Sequence, residues 1–254
     1  MKVSIVTVCR NSADTIGDAI DSVRLQTHTS IEHIIVDGAS TDATMDVVRQ
    51  RGGVGVVSIS EPDRGIYDAM NKGISRASGD VVGILNADDL LADTETVSRL
   101  VSDFQSRGRT IDGLYGDLVH VRRDDPDKVT RKWCARRFAH WQMRFGLMVP
   151  HPSFYVRRQL FERFGLYKTG YRVSADFELM ARFMCRGARL AYHPHVVVKM
   201  REGGISTTGL WWRIHQNLEI VRACSENGIR TNIALVSLKI PSKALSYART
   251  MWSR

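Results

Sequence analysis

The sequence predicts an α/β fold built on a mainly parallel sheet. Two observations carry that expectation. Short runs rich in β-branched residues alternate with stretches whose apolar residues recur at helical spacing, and polar residues gather where each run ends. Such alternation requires crossover helices between parallel strands. In sheets of that kind ligands bind beyond the carboxyl ends of the strands.

VSIVTV at residues 3–8 reads as the first strand, ending at Arg10 and Asn11; DTIGDAIDSVRLQ then sets Ile16, Ala19, Ile20 and Val23 on one helical face. IEHIIVDG gives a second strand ending at Asp37, followed by the helix-like DATMDVVRQR. GVVSIS gives a third, ending in Glu61, Pro62, Asp63, Arg64 and Gly65 before the helical YDAMNKGISRA. DVVGIL is the fourth, and it runs into Asn86, Ala87, Asp88 and Asp89 before a further helical segment. Four polar strand ends are therefore expected at one crevice.

From Gly113 the pattern changes. GLYGDLVHVRR reads as a strand leading into the basic stretch DDPDKVTRKWCARR, then come MVPHPSFYVRRQLFERFG, SADFELMARFMCRG and the strand-like LAYHPHVVVKM before REGGIST. Beyond Gly209, WWRIHQNLEIVRACSENG and IALVSLKIPSKALSYARTMW read as two amphipathic helices, the second interrupted at Pro241.

The 254 residues suffice for one large α/β domain with a small C-terminal appendage, and 43% hydrophobic with 25% charged residues is ordinary for a packed chain. A formal charge of +9 favours an anionic partner: nucleic acid, lipid headgroups or a phosphorylated substrate. Cys9, Cys134, Cys185 and Cys224 are widely spaced without a CxxC pair, so reduced thiols in a cytoplasmic setting are expected. VSIVTV is too brief for a signal-peptide core, and no apolar run approaches the roughly 20 residues of a membrane span, so the chain is not expected to cross a bilayer.

Asp88 and Asp89 suit a hard divalent cation such as Mg²⁺ or Mn²⁺, which prefers oxygen ligands and completes its shell with substrate phosphates. The plainer alternative is that Asp89 caps the next helix and Asp88 faces water. His193 and His195 offer nitrogen ligands, although they sit on a strand-like run beside Pro194. Trp211 and Trp212, with the later Lys239 and Lys243 among apolar residues, fit either an anionic membrane surface or packing on the domain or a second subunit.

VSIVTVCRN, IIVDGASTDAT, SEPDRGIYDAMNKGI and LNADD, in that order and spacing, resemble the nucleotide-binding half of the inverting family 2 glycosyltransferases with the GT-A fold. The likeness is greatest to bacterial members that build exopolysaccharides, capsules and lipid-linked oligosaccharides. HPSFYVRR, SADFELMARF and REGGIS are similar to the acceptor-side motifs of that group, so the likeness covers roughly residues 1–208. It implies a GT-A domain over residues 1–209, with 1–112 for the nucleotide sugar and 113–209 for the acceptor, and a basic helical extension over 210–254.

The resemblance also implies roles. Asp37 matches the residue that hydrogen-bonds the donor's base, and Asp63 a second residue of the nucleotide pocket. Asn86, Ala87 and Asp88 stand at the family's Asp-x-Asp motif; Asn86 departs from it, leaving Asp88 as the principal metal ligand and Asp89 as a helper. Asp176 matches the catalytic base, although Ala175 replaces the acidic residue often found before it. His151 matches a position that contacts donor or acceptor, and Arg201, before Gly203 and Gly204, is a candidate for the diphosphate.

The implied partners are a UDP- or GDP-sugar and a glycan or lipid-linked acceptor; the tail leaves open the inner face of the cytoplasmic membrane, packing on the domain or a second copy of the chain. A sugar-phosphate nucleotidyltransferase is the alternative, but it calls for a Gly-rich basic loop after the first strand, and CRNSADT has no glycine. Nucleic acid is not expected, since no helix-turn-helix, zinc-ligand or aromatic RNA-binding signature occurs.

Overall fold

A computed structural model describes residues 1–53, 55–203 and 210–238. Strand β1 (Val3–Cys9) is buried along its whole length and lies parallel between β2 (Ile31–Asp37) and β4 (Val81–Asn86), with β3 (Val56–Ser60) parallel on the far side of β2. Burial on both faces explains why these strands read as continuous apolar runs. Val6, Val8, Ile34, Val36 and Ile84 point to one face, where Ala69, Met70 and Ile74 of helix α3 (Ile66–Arg76) cover them. Val3, Ile5 and Leu85 point to the other, against α1 (Ile16–Arg24) and α4 (Thr96–Arg107). Each such aliphatic side chain, once buried, stabilises the fold by about 1.5–3 kcal/mol.

Close approach sets the spacing of that layer. A methyl group on Gly73 would lie 2.3 Å from Val6 Cγ1, so the α3 backbone packs directly onto β1. The shorter α2 (Thr44–Arg51) packs beside α1.

The second half makes the sheet mixed. The order is β3-β2-β1-β4-β8-β6-β9-β5, with β5 (Leu90–Leu91), β6 (Gly113–Val121), β8 (Phe154–Arg157) and β9 (Leu190–Arg201); β7 (Val129–Trp133) pairs with β6. β8 is antiparallel to both β4 and β6, whereas β9 is parallel to β6. Consequently β6 and β9 end at the same edge as β4. The β6–β9 register slips between Tyr115 and Asp117, opposite Pro194, where a bulge accommodates the missing amide donor. The short β5 and the basic β7 were not marked as strands by the sequence; β7 has half-exposed side chains and no apolar run.

Helices α5 (Gln159–Phe164) and α6 (Ala175–Cys185) follow β8, and α6 is buried nearly all round, its buried charges Glu178 and Arg182 paired at 2.9 Å. The first expected C-terminal helix appears as α7 (Leu210–Glu226); of the second, expected over residues 233–252, the described residues hold α8 (Ile233–Ser237). Ile220, Ala223, Cys224 and Val236 join the main core, so this part of the extension packs on the domain. Trp211, Ile214 and Leu218 lie along the opposite face of α7 and are exposed. The expected boundary at Gly209 and the break at Pro241 lie outside the described residues. Among the described residues no helix is long and apolar enough to cross a membrane.

Candidate active site

The exits of β1 and β2 are built together, with Cys9 opposite Asp37. Just beyond them Asn11 and Ala39 take φ of 50° and 56°, a region costly for residues with a Cβ. The turn is held by cross-links: Asn11 N donates to Ser40 Oγ at 2.8 Å, and Thr41 N donates to Asn11 Oδ1 at 2.9 Å. Asp37 is fully buried, and its carboxylate accepts from Ser60 Oγ at 2.6 Å, from Ser40 N at 2.9 Å and from the Ser40 hydroxyl. Burial, with the Asp37 charge beside it, pushes the Cys9 thiol far up. Asp63 closes on the same strand end. A methyl on Gly38 would lie 2.3 Å from Asp63 Oδ2 and 3.5 Å from Arg10 Cβ.

At the end of β4 the chain makes a tight turn, in which Asp89 N donates to Asn86 O at 3.1 Å. Asn86 Nδ2 donates to Asp89 Oδ2 at 2.9 Å, and Arg201 N, at the end of β9, donates to Asp89 Oδ1 at 3.3 Å. Burial pushes the Asp89 carboxyl up to about 8, with the Asp88 charge adding to it and Asn86 and Arg201 opposing. Asp88 is half-buried, and its carboxylate has no hydrogen-bond partner among the described residues. Arg201 is itself buried; Nη1 donates to Asp88 O at 3.2 Å and Nη2 to Asp18 Oδ2 at 2.5 Å. Arg201, expected at the diphosphate, is thus buried and hydrogen-bonded beside the acidic turn, and Gly204 lies outside the described residues.

That turn fits a Mg²⁺ or Mn²⁺ ion of a particular kind. No three His, Cys, Asp or Glu side chains converge as a metal cage among the described residues. One free carboxylate, Asp88, backed by Asp89, is what a cation needs when a diphosphate supplies the other oxygens. His193 does not belong here: its Nδ1 lies 3.0 Å from Asp103 Oδ2 of α4, and the ring packs 4.9 Å from that of His195.

β8 brings the next residues to this edge. Val81 is opposite Arg157 and Gly83 opposite Tyr155, so the turn His151–Ser153 preceding β8 packs beside the end of β4. The His151 Nε2 atom is 2.7 Å from the Tyr167 hydroxyl, and Tyr167 stacks on Tyr67 at 5.7 Å. Asp176 sits in the first turn of α6, half-buried by surface area, with Phe177 N donating to Oδ1 at 2.8 Å. Its surroundings exclude enough solvent to raise its pKa; His151 opposes that shift and Glu219 adds to it. Burial lowers the His151 pKa, with Asp176 opposing. A cavity of about 360 Å³ opens beside Tyr67, lined also by Arg64, Tyr171 and Arg172. A wider hollow of about 480 Å³ at Asp21, Arg24 and Arg51 lies on the outer helices and gathers none of these groups.

Several members of this constellation escaped sequence reasoning. Tyr67 and Tyr167 were unmarked, although Tyr67 lies inside SEPDRGIYDAMNKGI. Asp117 on β6 is buried and accepts from Ala135 N and Tyr192 Oη, each at 2.9 Å, with Lys132 Nζ at 3.2 Å. Its signal was a lone acid within an apolar strand.

Comparisons with known proteins bear on the family and the fold. The family described as Glycosyl transferase family 2 matches residues 4–165. A PGL/p-HBAD biosynthesis glycosyltransferase of Mycobacterium bovis is 32% identical over 210 residues, covering 81% of this chain and 79% of that one. An uncharacterized glycosyltransferase of Mycobacterium tuberculosis is 32% identical over 191 residues, covering 71% and 68%. Among solved structures, S. aureus TarS 1–349 in complex with UDP-GlcNAc has a TM-score of 0.71 at 16% identity, covering 88% of this chain and 66% of that one. The mannosyltransferase PcManGT from Pyrobaculum calidifontis, in complex with GDP-Man and Mn²⁺, has a TM-score of 0.66 at 21% identity, covering 89% and 63%. The chain therefore spans just under two thirds of these two solved chains. The structural likeness shows a GT-A-like fold. Because the family match takes in more than half of the chain and the mycobacterial relative aligns over most of both proteins, the chain belongs to glycosyl transferase family 2.

Proposed function

We propose that the protein is an inverting glycosyltransferase that moves a sugar from a nucleoside-diphosphate donor to a hydroxyl of a glycan or lipid-linked acceptor in surface-polysaccharide synthesis. One observation carries the reading: the β4–β8 pairing lies beside both Asp88, a carboxylate with no hydrogen-bond partner among the described residues, and the His151 neighbour of a solvent-shielded carboxylate, Asp176. Solved neighbours with UDP-GlcNAc and with GDP-Man and Mn²⁺ support a nucleotide-sugar donor and a divalent cation.

Asp37 and Asp63 shape the nucleoside end of the crevice, with Asn86 and Ala87 toward the ribose. Asp88 is the metal ligand and Asp89 its helper; the ion, when bound, neutralises charge on the departing diphosphate. Arg201 fixes the turn that carries both. Asp176 accepts the proton of the acceptor hydroxyl as that oxygen bonds to the anomeric carbon, and the carbon's bond to the diphosphate oxygen breaks on the opposite face. Configuration inverts, and no covalent enzyme intermediate forms. The raised pKa of Asp176 brings a carboxylate closer to the proton affinity a base needs near neutral pH. His151 contacts donor or acceptor beside it. The exposed face of α7 rests on the inner face of the cytoplasmic membrane, where a lipid-linked acceptor is found.

A thermal-shift panel of UDP, GDP, dTDP and CDP, each with and without Mn²⁺, tests the reading. The expected result is stabilisation by UDP or GDP, on the order of 2.7 kcal/mol at a hundredfold excess over Kd, and larger with Mn²⁺. No response to any diphosphate would remove it.

A further inference from the structure

The C-terminal helix reaches directly into the segment that carries Asp176. Glu219 of α7 accepts three successive backbone amides: Arg172 N at 2.6 Å, Val173 N at 2.9 Å and Ser174 N at 2.8 Å. Ser174 is the N-cap of α6, yet its own side chain makes no capping hydrogen bond. The carboxylate of another helix therefore takes up amides at the entry to α6, where the positive end of the helix dipole favours negative charge. The same peptide is gripped from its other side, since Tyr67 Oη donates to Val173 O at 2.6 Å. Asp176 follows two residues after the last of these amides. Glu219 is in turn fixed by its neighbours on α7, because Ile220, Ala223 and Cys224 are buried in the core against α6.

We propose that Glu219 is a positioning residue for Asp176, so that α7, which lies beyond the family-matched residues 4–165, is part of the working enzyme. The inference rests on Asp176 being the base. Without the Glu219 carboxylate, three amides lose their acceptor, and the 172–174 backbone keeps only its carbonyl contacts, Tyr67 Oη on Val173 O and Glu178 N on Ser174 O. The carboxyl of Asp176 then samples orientations away from the acceptor, and a displacement of about 1 Å from reacting geometry can cost about 100-fold in rate.

A charge effect accompanies the geometric one. The groups that face Asp176 are His151 from the turn before β8, Tyr67 from α3, Tyr167 from the loop before α6, and Glu219 from α7. Glu219 adds to burial in raising the Asp176 pKa. Its neutralisation lowers that pKa, and the acidic limb of activity moves to lower pH.

The test compares full-length wild type with Glu219→Gln and Glu219→Asp, using UDP release from UDP-GlcNAc and GDP release from GDP-mannose with Mn²⁺. Glu219→Gln is expected to lower kcat about 10- to 100-fold, leave the donor KM within about twofold and shift the acidic limb downward. Glu219→Asp keeps the charge, so it leaves the limb in place and recovers part of kcat. Amide hydrogen exchange reads the same clamp without turnover, with faster exchange in Glu219→Gln confined to residues 172–177. Unchanged kcat in Glu219→Gln, or unchanged exchange there, overturns the proposal. So does a loss of kcat that in both variants merely parallels loss of melting temperature and donor affinity. A wild type that releases no diphosphate from any donor counts against the glycosyltransferase mechanism, while the exchange result still decides the clamp.

Discussion

The side-chain amide of Asn86 donates to the buried carboxylate of Asp89 at 2.9 Å. This bond gives the amide a use at a position where the family's motif has an acid. It satisfies Oδ2 of a buried carboxylate whose Oδ1 is met by Arg201 N, and it fixes the turn that presents Asp88.

Replacement of Asn86 by Asp should therefore destabilise the metal-free protein. The amide donor is lost and a carboxylate is placed against Asp89, whose burial already holds its carboxyl up to about 8, at a cost on the order of 3 kcal/mol. Urea melts with and without Mn²⁺ check this, and the cation should restore more stability to the variant than it adds to wild type. Equal metal-free stability of the two proteins would contradict the pairing.

Asp176→Asn should keep the fold and the thermal shift produced by the nucleoside diphosphate, while kcat falls by about 10²–10⁴. Turnover and thermal shift measured on one preparation separate the two effects. Full turnover would leave the base unassigned.

Gly38→Ala places a methyl where Asp63 Oδ2 now lies, 2.3 Å from the new carbon. The obstacle is the end of a side chain, so the fold should survive while Asp63 swings away. Nucleoside-diphosphate affinity is expected to weaken about tenfold, equivalent to about 1.4 kcal/mol. Calorimetric titration would show it, and unchanged affinity would take Asp63 out of the pocket.

His33 is fully enclosed, with Nε2 2.8 Å from Thr7 Oγ1 and Nδ1 without a partner among the described residues; burial lowers its pKa to about 4. Below the ordinary value of 6.5 the unfolded chain takes up a proton that the folded one refuses. Stability should fall as pH drops from 6.5 and stop falling from this source below about 4, a total of about 3 kcal/mol. His33→Gln should flatten that part of the profile in denaturant melts. A variant with the same slope would assign the loss to other groups.

The exposed stripe of Trp211, Ile214 and Leu218 is followed, after Glu226, by Arg230, Lys239, Lys243, Arg249 and Arg254 and no acid. Sedimentation with vesicles rich in phosphatidylserine should capture the protein at low salt and release it as salt rises. Replacing the three apolar residues with Ser should abolish capture without lowering the melting temperature. Equal capture by neutral vesicles, or none by either, would detach the enzyme from the proposed membrane surface.

The sequence by itself determined the parallel half. Its β-branched runs are local and long enough to read, and parallel pairing obliges Arg10, Asp37, Asp63 and Asp88 to emerge at one edge. It also marked Asp176 through the motif around it. Local pattern cannot report on groups that meet only when distant segments fold together. Arg201 pairs with Asp18 across 183 residues, Glu219 reaches Ser174 across 45, and His151 reaches Tyr167 from another element. β5 and β7 are short, and their pairing with β9 and β6 is a contact between distant segments that local pattern does not report. Tertiary structure decided which carboxylates are buried, as with Asp37 and Asp89, and which has no hydrogen-bond partner among the described residues, as with Asp88. Burial and hydrogen-bond partners set the chemistry of an acid, and both are properties of the whole packed chain.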